Sequence, residues 1–323
     1  MTRERLALIV STVADVATDD VVRRLAARGI PHYRVNTEDY PFSRTITHRP
    51  QQGCSRQALE FDGREITAPT SIWYRRVRTP PKPGDMDSGI YNFCLEETRA
   101  ALLGGLMRLP GRWMSHPSAV WQAEFKPFQL SVASEVGLSI PRTLVSNDPI
   151  AIRKAFDDFG SMIVKPARTG HVVHSGDEYS IFTSRVLREH LDHLESARYS
   201  PAIYQELVPK KHDLRVTIVG HQVFAAAIDS QSDPAATVDW RHTKNPDLPH
   251  RRVLLPDPLQ SLLRQLMKTV GLAFAAIDMV ETPGGDFVFL EMNPSGQWLW
   301  IDDKLGLGIS DAVTAWLGGE WPQ

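Results

Sequence analysis

The stretch FVFLEMNPSGQWLWID (residues 287–302) decides the fold. It begins as an apolar strand that carries two side chains able to bind a metal, Glu291 and Asn293. Upstream, residues 272–280 have a second strand pattern, and the intervening segment ETPGGD (281–286) contains the residues of a hairpin loop. The sequence therefore predicts an antiparallel β-hairpin.

The loop sets the expected register of this hairpin. With residues 282–285 in the loop, Glu281 faces Asp286 and Asp278 lies opposite Phe289, with Glu291 as a diagonal neighbour of Asp278 at roughly 7–8 Å. Alternation then places Asp278, Glu291 and Asn293 on one face of the sheet. The other face is apolar and consists of Ile277, Met279, Val288, Leu290 and Met292.

A face with two carboxylates and an amide needs a counter-charge if it is buried. Mg²⁺ held by these side chains and by the phosphates of a nucleotide would provide it. A sheet with one solvated face explains the same pattern, so the hairpin alone leaves both interpretations open.

Bulk properties narrow the class of protein. The chain has 323 residues, enough for two or three sub-domains, and its formal charge of -2 argues against general binding to nucleic acid or to an anionic membrane. Two cysteines are too few for a disulfide framework. No signal peptide or membrane span is evident from the sequence. We expect a cytoplasmic α/β protein without a nucleic-acid or membrane partner.

The order of strand and helix patterns predicts three parts, residues 1–115, 116–200 and 201–323. The first opens strand-helix-strand but lacks a glycine-rich phosphate loop. In the second, a helix is expected over 122–136, a strand over 179–183 and a helix over 184–197. In the third, an amphipathic helix starts at Asp257 and stops at Gly271 before the hairpin.

A series of motifs extends along nearly the whole chain. They are LALIV (6–10), RVNTE (34–38), WYRR (73–76), KPFQL (126–130), PRTLV (141–145), VKP (164–166), DLR (213–215) and EMNPSGQW (291–298). With these motifs the sequence resembles the ATP-grasp ligases, and more narrowly the graspetide synthetases of the microviridin type, which crosslink ribosomally made precursor peptides. The GQW extension of the last motif is the most specific part. The resemblance implies an ATP-grasp fold with an N-terminal pre-ATP-grasp domain and two domains that clasp ATP.

The resemblance also implies roles for individual residues. Lys126 and Lys165 would reach the nucleotide phosphates, and the backbone of 168–170, ending at Gly170, would form an anion nest over them. The segment Gln205, Glu206, Leu207 and Val208 resembles the one whose backbone reads adenine, and Asp213 would accept from the ribose hydroxyls. For each of these residues a plain structural role remains an alternative.

Arginines would serve the reaction that this family catalyses. Arg215 shares a strand face with Asp213 and would hold the acyl phosphate or the substrate carboxylate in a bidentate fork. Arg241 is a similar candidate for the phosphate in transfer, and Lys165 would also assist it. The expected cofactors are therefore ATP and Mg²⁺, with Asp278, Glu291 and Asn293 as the ligands of Mg²⁺.

The expected partner is a precursor peptide with a leader and an acidic core, and a homodimer is left open. Arg75, Arg76 and Arg78, together with Lys210 and Lys211, would receive an acidic peptide. A solvated strand edge explains the three arginines as well.

Three functions remain open from the sequence. The first is peptide crosslinking through Asp or Glu acyl phosphates attacked by Ser, Thr or Lys. The second is addition of a free amino acid to a peptide or protein terminus, and the third is a nucleotide-binding regulator without catalysis.

Overall fold

The computed structural model describes residues 5–50, 52–53, 58–168, 170–174, 177–243, 245 and 248–321. Strands and helices alternate through these ranges, in agreement with the predicted mixed α/β class. No helix in this part of the chain is both long enough and apolar enough to cross a bilayer.

A parallel sheet organises the first part of the chain. The elements are β1 (Ala7–Ser11), α1 (Val16–Ala27), β2 (His32–Asn36), β3 (Ile46–His48), β4 (Leu59–Phe61), β5 (Arg64–Ile66), β6 (Ser71–Tyr74), α2 (Ser88–Leu106) and β7 (Arg112–Trp113). The parallel sheet has the order β2-β1-β6-β7, and β3-β4-β5 form a separate antiparallel sheet. All five residues of β1 are buried, as expected for an apolar run inside a parallel sheet.

The middle part is built on an antiparallel sheet. The elements are α3 (Pro117–Ala123), α4 (Lys126–Glu135), β8 (Thr143–Ser146), α5 (Pro149–Phe159), β9 (Met162–Lys165), β10 (His171–His174), β11 (Asp177–Ser180), β12 (Ser184–Val186), a 3₁₀ helix (Arg188–Tyr199) and β13 (Ala202–Glu206). The sheet has the order β12-β9-β13-β8, and β10 and β11 form a hairpin of their own. The middle sheet thus extends past residue 200.

Two helix predictions for this middle part are wrong, and one strand prediction has the wrong bounds. The single helix expected over 122–136 is divided into α3 and α4, because Phe125 has an extended backbone and Pro127 cannot donate to the preceding turn. The helix expected over 184–197 is instead β12 followed by the 3₁₀ helix, and the strand expected over 179–183 ends at Ser180 as β11.

A five-stranded antiparallel sheet forms the last part. The elements are β14 (His212–Val219), β15 (Gln222–Ile228), β16 (His250–Val253), α6 (Asp257–Val270), β17 (Phe274–Glu281), β18 (Phe287–Asn293), α7 (Leu299–Leu305) and α8 (Ile309–Leu317). The order is β16-β15-β14-β17-β18. Helix α6 starts and stops as predicted, and Gly271 ends it in the left-handed conformation with φ +80°.

The hydrophobic cores join the first and last parts of the chain. One cluster packs Ile9, Leu25 and Trp73 against Trp298 and Val313. The middle part has a smaller cluster that includes Ile152, Met162 and Tyr204. The loop after β18 therefore lies at a junction between two sheets that share one core.

Candidate nucleotide and metal site

The expected hairpin is present, but its register differs from the prediction. Glu281 pairs with Phe287 rather than facing Asp286, and Met279 pairs with Phe289. A β-bulge between Asp278 and Met279 then brings Glu291 directly opposite Asp278. The predicted polar face survives and is tighter than expected, because the two carboxylates are direct rather than diagonal neighbours.

The bulge also changes the apolar face of the hairpin. Phe289, rather than Val288 or Leu290, joins Met279 and Met292 in the main core cluster. The backbone carbonyl of Leu290 instead accepts a hydrogen bond from Lys165 Nζ at 3.2 Å.

Three cationic side chains surround Glu291. Lys126 Nζ lies 3.0 Å from Glu291 Oε2, and Arg241 Nη1 lies 3.6 Å from Oε1. Burial acts to raise the pKa of Glu291, but Lys126, Lys165 and Arg241 together lower it well below its usual range. The carboxylate is therefore ionised at neutral pH, as a metal ligand has to be.

Lys165 lies at the end of β9 with only 6% of its surface exposed. Burial lowers the pKa of its amine to about 8, with Glu291 acting in the opposite direction. At neutral pH most of this amine is therefore still protonated, and its charge is available to an anion that binds beside it.

The two predicted arginines are each held by an aspartate. Arg215 Nη1 donates to Asp278 Oδ1 at 2.8 Å, and Arg215 Nη2 donates to the backbone carbonyl of Gln297 at 2.9 Å. Arg241 makes two hydrogen bonds of 2.8 Å to Asp239. Both guanidinium groups thus have a defined orientation toward the carboxylate face.

Asp213 is buried and paired with a lysine. Lys210 Nζ lies 2.8 Å from Asp213 Oδ2, and both side chains are less than a tenth exposed. Burial raises the pKa of Asp213, while Lys210 opposes that shift. The structure therefore contradicts the expectation that Lys210 receives a peptide, and Lys211 is paired with Glu281 at 3.1 Å.

The segment predicted to read adenine comprises the last two residues of β13 and the two residues that follow. Gln205 is fully buried and donates to Thr143 Oγ1 at 2.8 Å, whereas the Glu206 carboxylate accepts from Arg142 Nε at 2.6 Å. The Leu207 N–H donates to the Ser161 carbonyl at 2.8 Å, and Val208 comes directly after it. Side-chain contacts thus anchor this segment, whose backbone is the predicted reader.

Gly170 lies where the β10–β11 hairpin begins, close to Ile181. A Cβ atom at Gly170 would come within 2.0 Å of the Ile181 carbonyl oxygen, so only glycine fits there. The Arg168 side chain is directed to Glu124 Oε2 at 2.7 Å. Thr169, the middle residue of the predicted nest, lies outside the described residues.

The arginine cluster after β6 is only partly as predicted. Arg75 is fully buried, so it neither receives a peptide at the surface nor forms a solvated strand edge. Its guanidinium lies 3.4 Å from Asp15 and donates to the Gly296 carbonyl at 2.9 Å and to Gln297 Oε1 at 3.1 Å. Arg75 therefore fastens the first sheet to the loop that follows the metal face.

Gln129 is a site residue that sequence reasoning missed. Its side-chain amide accepts from the Met292 N–H and donates to the Met292 carbonyl, each at 2.7 Å. This contact joins α4 to β18, and so holds Lys126 against Glu291. The signal was available, since Gln129 lies three residues after Lys126 and thus on the same helix face.

The donor set fits Mg²⁺ shared with phosphates. Asp278 and Glu291 would supply carboxylate oxygens and Asn293 an amide oxygen, the ligand types that Mg²⁺ prefers. No group of three His, Cys, Asp or Glu side chains able to hold a metal occurs among the described residues. Mg²⁺ usually completes its coordination with water and with substrate phosphate oxygens.

The chain is similar to a family model and to solved ATP-grasp ligases. Residues 6–120 match the family model described as MvdD pre-ATP grasp domain. A RiPP-associated ATP-grasp ligase of Chryseobacterium gregarium, solved with ADP and a leader and core peptide, superposes with a TM-score of 0.90 at 27% identity, covering 99% of this chain and 98% of that chain. The predicted ATP-grasp fold is thereby confirmed.

Two further relatives differ in how closely they match. Macrocyclase MdnC of Microcystis aeruginosa MRC, solved with precursor peptide MdnA, has a TM-score of 0.85 and is 32% identical, covering 98% of this chain and 99% of that one. Beta-citrylglutamate synthase B of Danio rerio is 23% identical over 261 residues, which are 78% of this chain and 58% of that protein. The match to the macrocyclase thus covers nearly all of both chains. The match to the synthase covers little more than half of the synthase.

Proposed function

The chain belongs to the RiPP-associated ATP-grasp ligases, and we propose that it uses ATP to close crosslinks within a ribosomally made precursor peptide. RiPP denotes a ribosomally synthesised and post-translationally modified peptide. The observation that carries the proposal is the charged face of β17 and β18, where Asp278 and Glu291 lie opposite each other among cationic side chains.

The proposed reaction has two steps. A side-chain carboxylate oxygen of Asp or Glu in the peptide attacks the γ-phosphorus of ATP, the bond to the β-phosphate oxygen breaks, and ADP leaves. A Ser or Thr hydroxyl or a Lys amine then attacks the acyl carbon, loses its proton, and expels phosphate as the ester or amide forms. No protein nucleophile is required, so binding and charge stabilisation account for catalysis.

Four cations serve the phosphates in this proposal. These are Lys126, Lys165, Arg215 and Arg241, and they lie around the three carboxylates of Glu291, Asp278 and Asp239. One net positive charge is left for a polyphosphate. Lys126 and Lys165 hold the phosphates in place. Arg215 and Arg241 stabilise the charge on the phosphoryl group during transfer, and Lys165 contributes to that step as well.

The remaining nucleotide contacts come from the middle and last parts of the chain. The backbone of Gln205, Glu206, Leu207 and Val208 reads adenine, and Asp213 accepts from the ribose hydroxyls. Gly170 contributes its backbone to the anion nest over the phosphates. A side chain there would clash with the Ile181 carbonyl oxygen and displace that backbone. Asp278, Glu291 and Asn293 hold Mg²⁺, which neutralises phosphate charge when bound.

The partner in this proposal is a precursor peptide with a leader and an acidic core. Support comes from the two solved relatives with bound precursor segments, at 27% and 32% identity. A homodimer and a cytoplasmic location are also part of the proposal, and light scattering on the purified protein tests the former.

A second candidate function is ligation of a free amino acid to a peptide or protein terminus. The match to a synthase at 23% identity is the observation that favours it. The whole-length match to a macrocyclase at 32% identity favours crosslinking instead.

The mass of the product separates these functions. The protein is incubated with ATP, Mg²⁺ and an Asp- and Glu-rich peptide that also contains Ser, Thr and Lys, and the peptide is then weighed. Crosslinking removes about 18 Da per bond, the mass of one water, whereas amino-acid addition increases the mass. An unchanged mass without ADP formation would support a binding protein and contradict the proposal.

A further inference from the structure

A cavity of about 400 Å³ lies beside the proposed phosphate site, between the first part of the chain and α3. Its walls come from the segment 74–80, which begins at the last residue of β6, from α2, and from the α3 residues Val120 and Trp121. Ser295, two residues beyond Asn293, also lines it, so the cavity adjoins the end of the metal face.

The cavity wall is rich in arginine. Besides the buried Arg75, the side chains of Arg76, Arg78, Arg99 and Arg168 line it. Only two glutamates do so, and of these Glu124 is already paired with Arg168 at 2.7 Å. The wall therefore carries an excess of positive charge.

Three of these guanidinium groups are available to a ligand. Within the described residues, no carboxylate lies within ion-pairing distance of Arg76, Arg78 or Arg99. All three side chains are exposed, and Arg99 also lies over the ring of Trp121, 5.9 Å from its centroid. Unpaired guanidinium groups in a concave site favour carboxylate ligands, which they bind in a bidentate manner.

The cavity lining also has an apolar part. Tyr74, Leu102, Leu103 and Val120 are buried and contribute to the lining. A small inorganic anion would leave this surface uncovered, whereas a peptide covers it with its aliphatic carbons while its carboxylates face the arginines.

We propose that this cavity binds the non-reacting Asp and Glu side chains of the substrate peptide, through Arg76, Arg78 and Arg99. The inference rests on the proposed function, because it concerns the same peptide. It assigns these arginines a part in specificity: they hold the acidic segment while a neighbouring carboxylate reaches the phosphate site.

Peptide affinity at low salt tests the proposal. The probe is a fluorescently labelled synthetic peptide rich in Thr, Ser, Asp and Glu, together with its Asn and Gln counterpart, and binding is measured by anisotropy. Wild-type protein should prefer the acidic peptide, and Arg76→Ala and Arg99→Ala should each weaken its binding about tenfold. The same substitutions should leave binding of the amide counterpart unchanged, as expected when the arginine and the carboxylate interact directly.

Arg108→Ala is the matched control, because Arg108 is exposed just beyond the end of α2 and lies outside the cavity. It should bind the acidic peptide as wild type does. Equal losses in Arg108→Ala and Arg76→Ala, or no preference of the wild type for the acidic peptide, would overturn the proposal.

Measuring the binding of ADP with Mg²⁺ shows whether a negative result contradicts only the cavity assignment or also the proposed function. If wild type and Arg76→Ala bind ADP equally but also bind the acidic peptide equally, only the cavity assignment is wrong. If wild type binds no ADP, the proposed ligase function itself fails.

Discussion

Two groups of ion pairs lie on either side of the loop after β18, and they differ in how much water reaches them. The side chains of Asp15 and Arg75 are completely buried, at 0% exposure each. On the other side, Lys126 and Glu291 keep 19% and 16% of their side-chain surface exposed, and Arg215 and Asp278 keep 10% and 18%.

The difference separates a structural role from a chemical one. A closed pair cannot receive a ligand, and its partners Ser11, Thr18 and Gly296 leave it little freedom to rearrange. An open pair can exchange one partner for a phosphate or a metal. The Asp15–Arg75 pair therefore fixes the loop, and the pairs at Glu291 and Asp278 are the ones that the proposed chemistry uses.

The largest expected effect on stability is at Arg75. Arg75→Met should lower the free energy of unfolding by about 3–5 kcal/mol, because Asp15 is left as a buried charge without its partner. Urea unfolding followed by circular dichroism measures this change.

Lys126→Met is the matched control at the open pair. It should lower the free energy of unfolding by about 1 kcal/mol at most, since Lys165 and Arg241 remain beside Glu291 to balance its charge. Similar losses in the two variants would remove the distinction between closed and open pairs.

The next effect is at Gly296, in the loop that both groups contact. A Cβ atom there would lie 2.3 Å from the Ala276 Cβ and 3.0 Å from Arg215 Nη2. Gly296→Ala should lower the free energy of unfolding by about 1–3 kcal/mol through overpacking. It should also weaken nucleotide binding, because Arg215 has to move.

Gly104→Ala serves as its control. Gly104 lies in α2 with open space around its Cα, so alanine there should stabilise the protein by about 0.5–1 kcal/mol. Thermal unfolding should show a lower melting temperature than wild type for Gly296→Ala and a higher one for Gly104→Ala. A Gly296→Ala variant as stable as wild type would refute the packing argument.

A smaller effect is expected on the pH dependence of nucleotide binding, which involves only the residues around Glu291. The amine of Lys165 has a pKa of about 8, lowered from its usual range by burial. Below pH 8 the amine is mostly charged and can pair with a phosphate directly. Above pH 8 the amine is mostly neutral, so the protein has to take up a proton when the phosphate binds. ADP affinity should therefore fall by up to about tenfold per unit as pH rises above 8.

Lys165→Met tests the assignment of this pH dependence. Calorimetric titrations from pH 7 to about pH 9 should show weaker but nearly pH-independent ADP binding in the variant. An unchanged slope in the variant would show that another group is responsible.

Much of the hairpin could be predicted from sequence, because alternation and turn residues are local signals. The polar face of Asp278, Glu291 and Asn293 was predicted correctly. Its register was not, because a β-bulge inserts a residue into one strand and period-two alternation does not reveal where.

The different environments of the arginines after β6 could not be predicted from sequence. Arg75 and Arg76 are adjacent and chemically identical, so the sequence did not distinguish the buried one from the exposed one. What separates them is contact with Asp15 and Gly296, which are far away in the chain. By contrast, the break between α3 and α4 had a local signal in Pro127.

The central claim is that Asp278, Glu291 and Asn293 form a Mg²⁺-binding site whose remaining ligands include nucleotide phosphates. Electron paramagnetic resonance of Mn²⁺, which replaces Mg²⁺, measures metal binding in the presence of a non-hydrolysable ATP analogue. Wild type and the control Glu281→Gln should bind Mn²⁺ with the analogue present, and Glu291→Gln should lose this binding while remaining folded. Undiminished Mn²⁺ binding by folded Glu291→Gln would contradict the account.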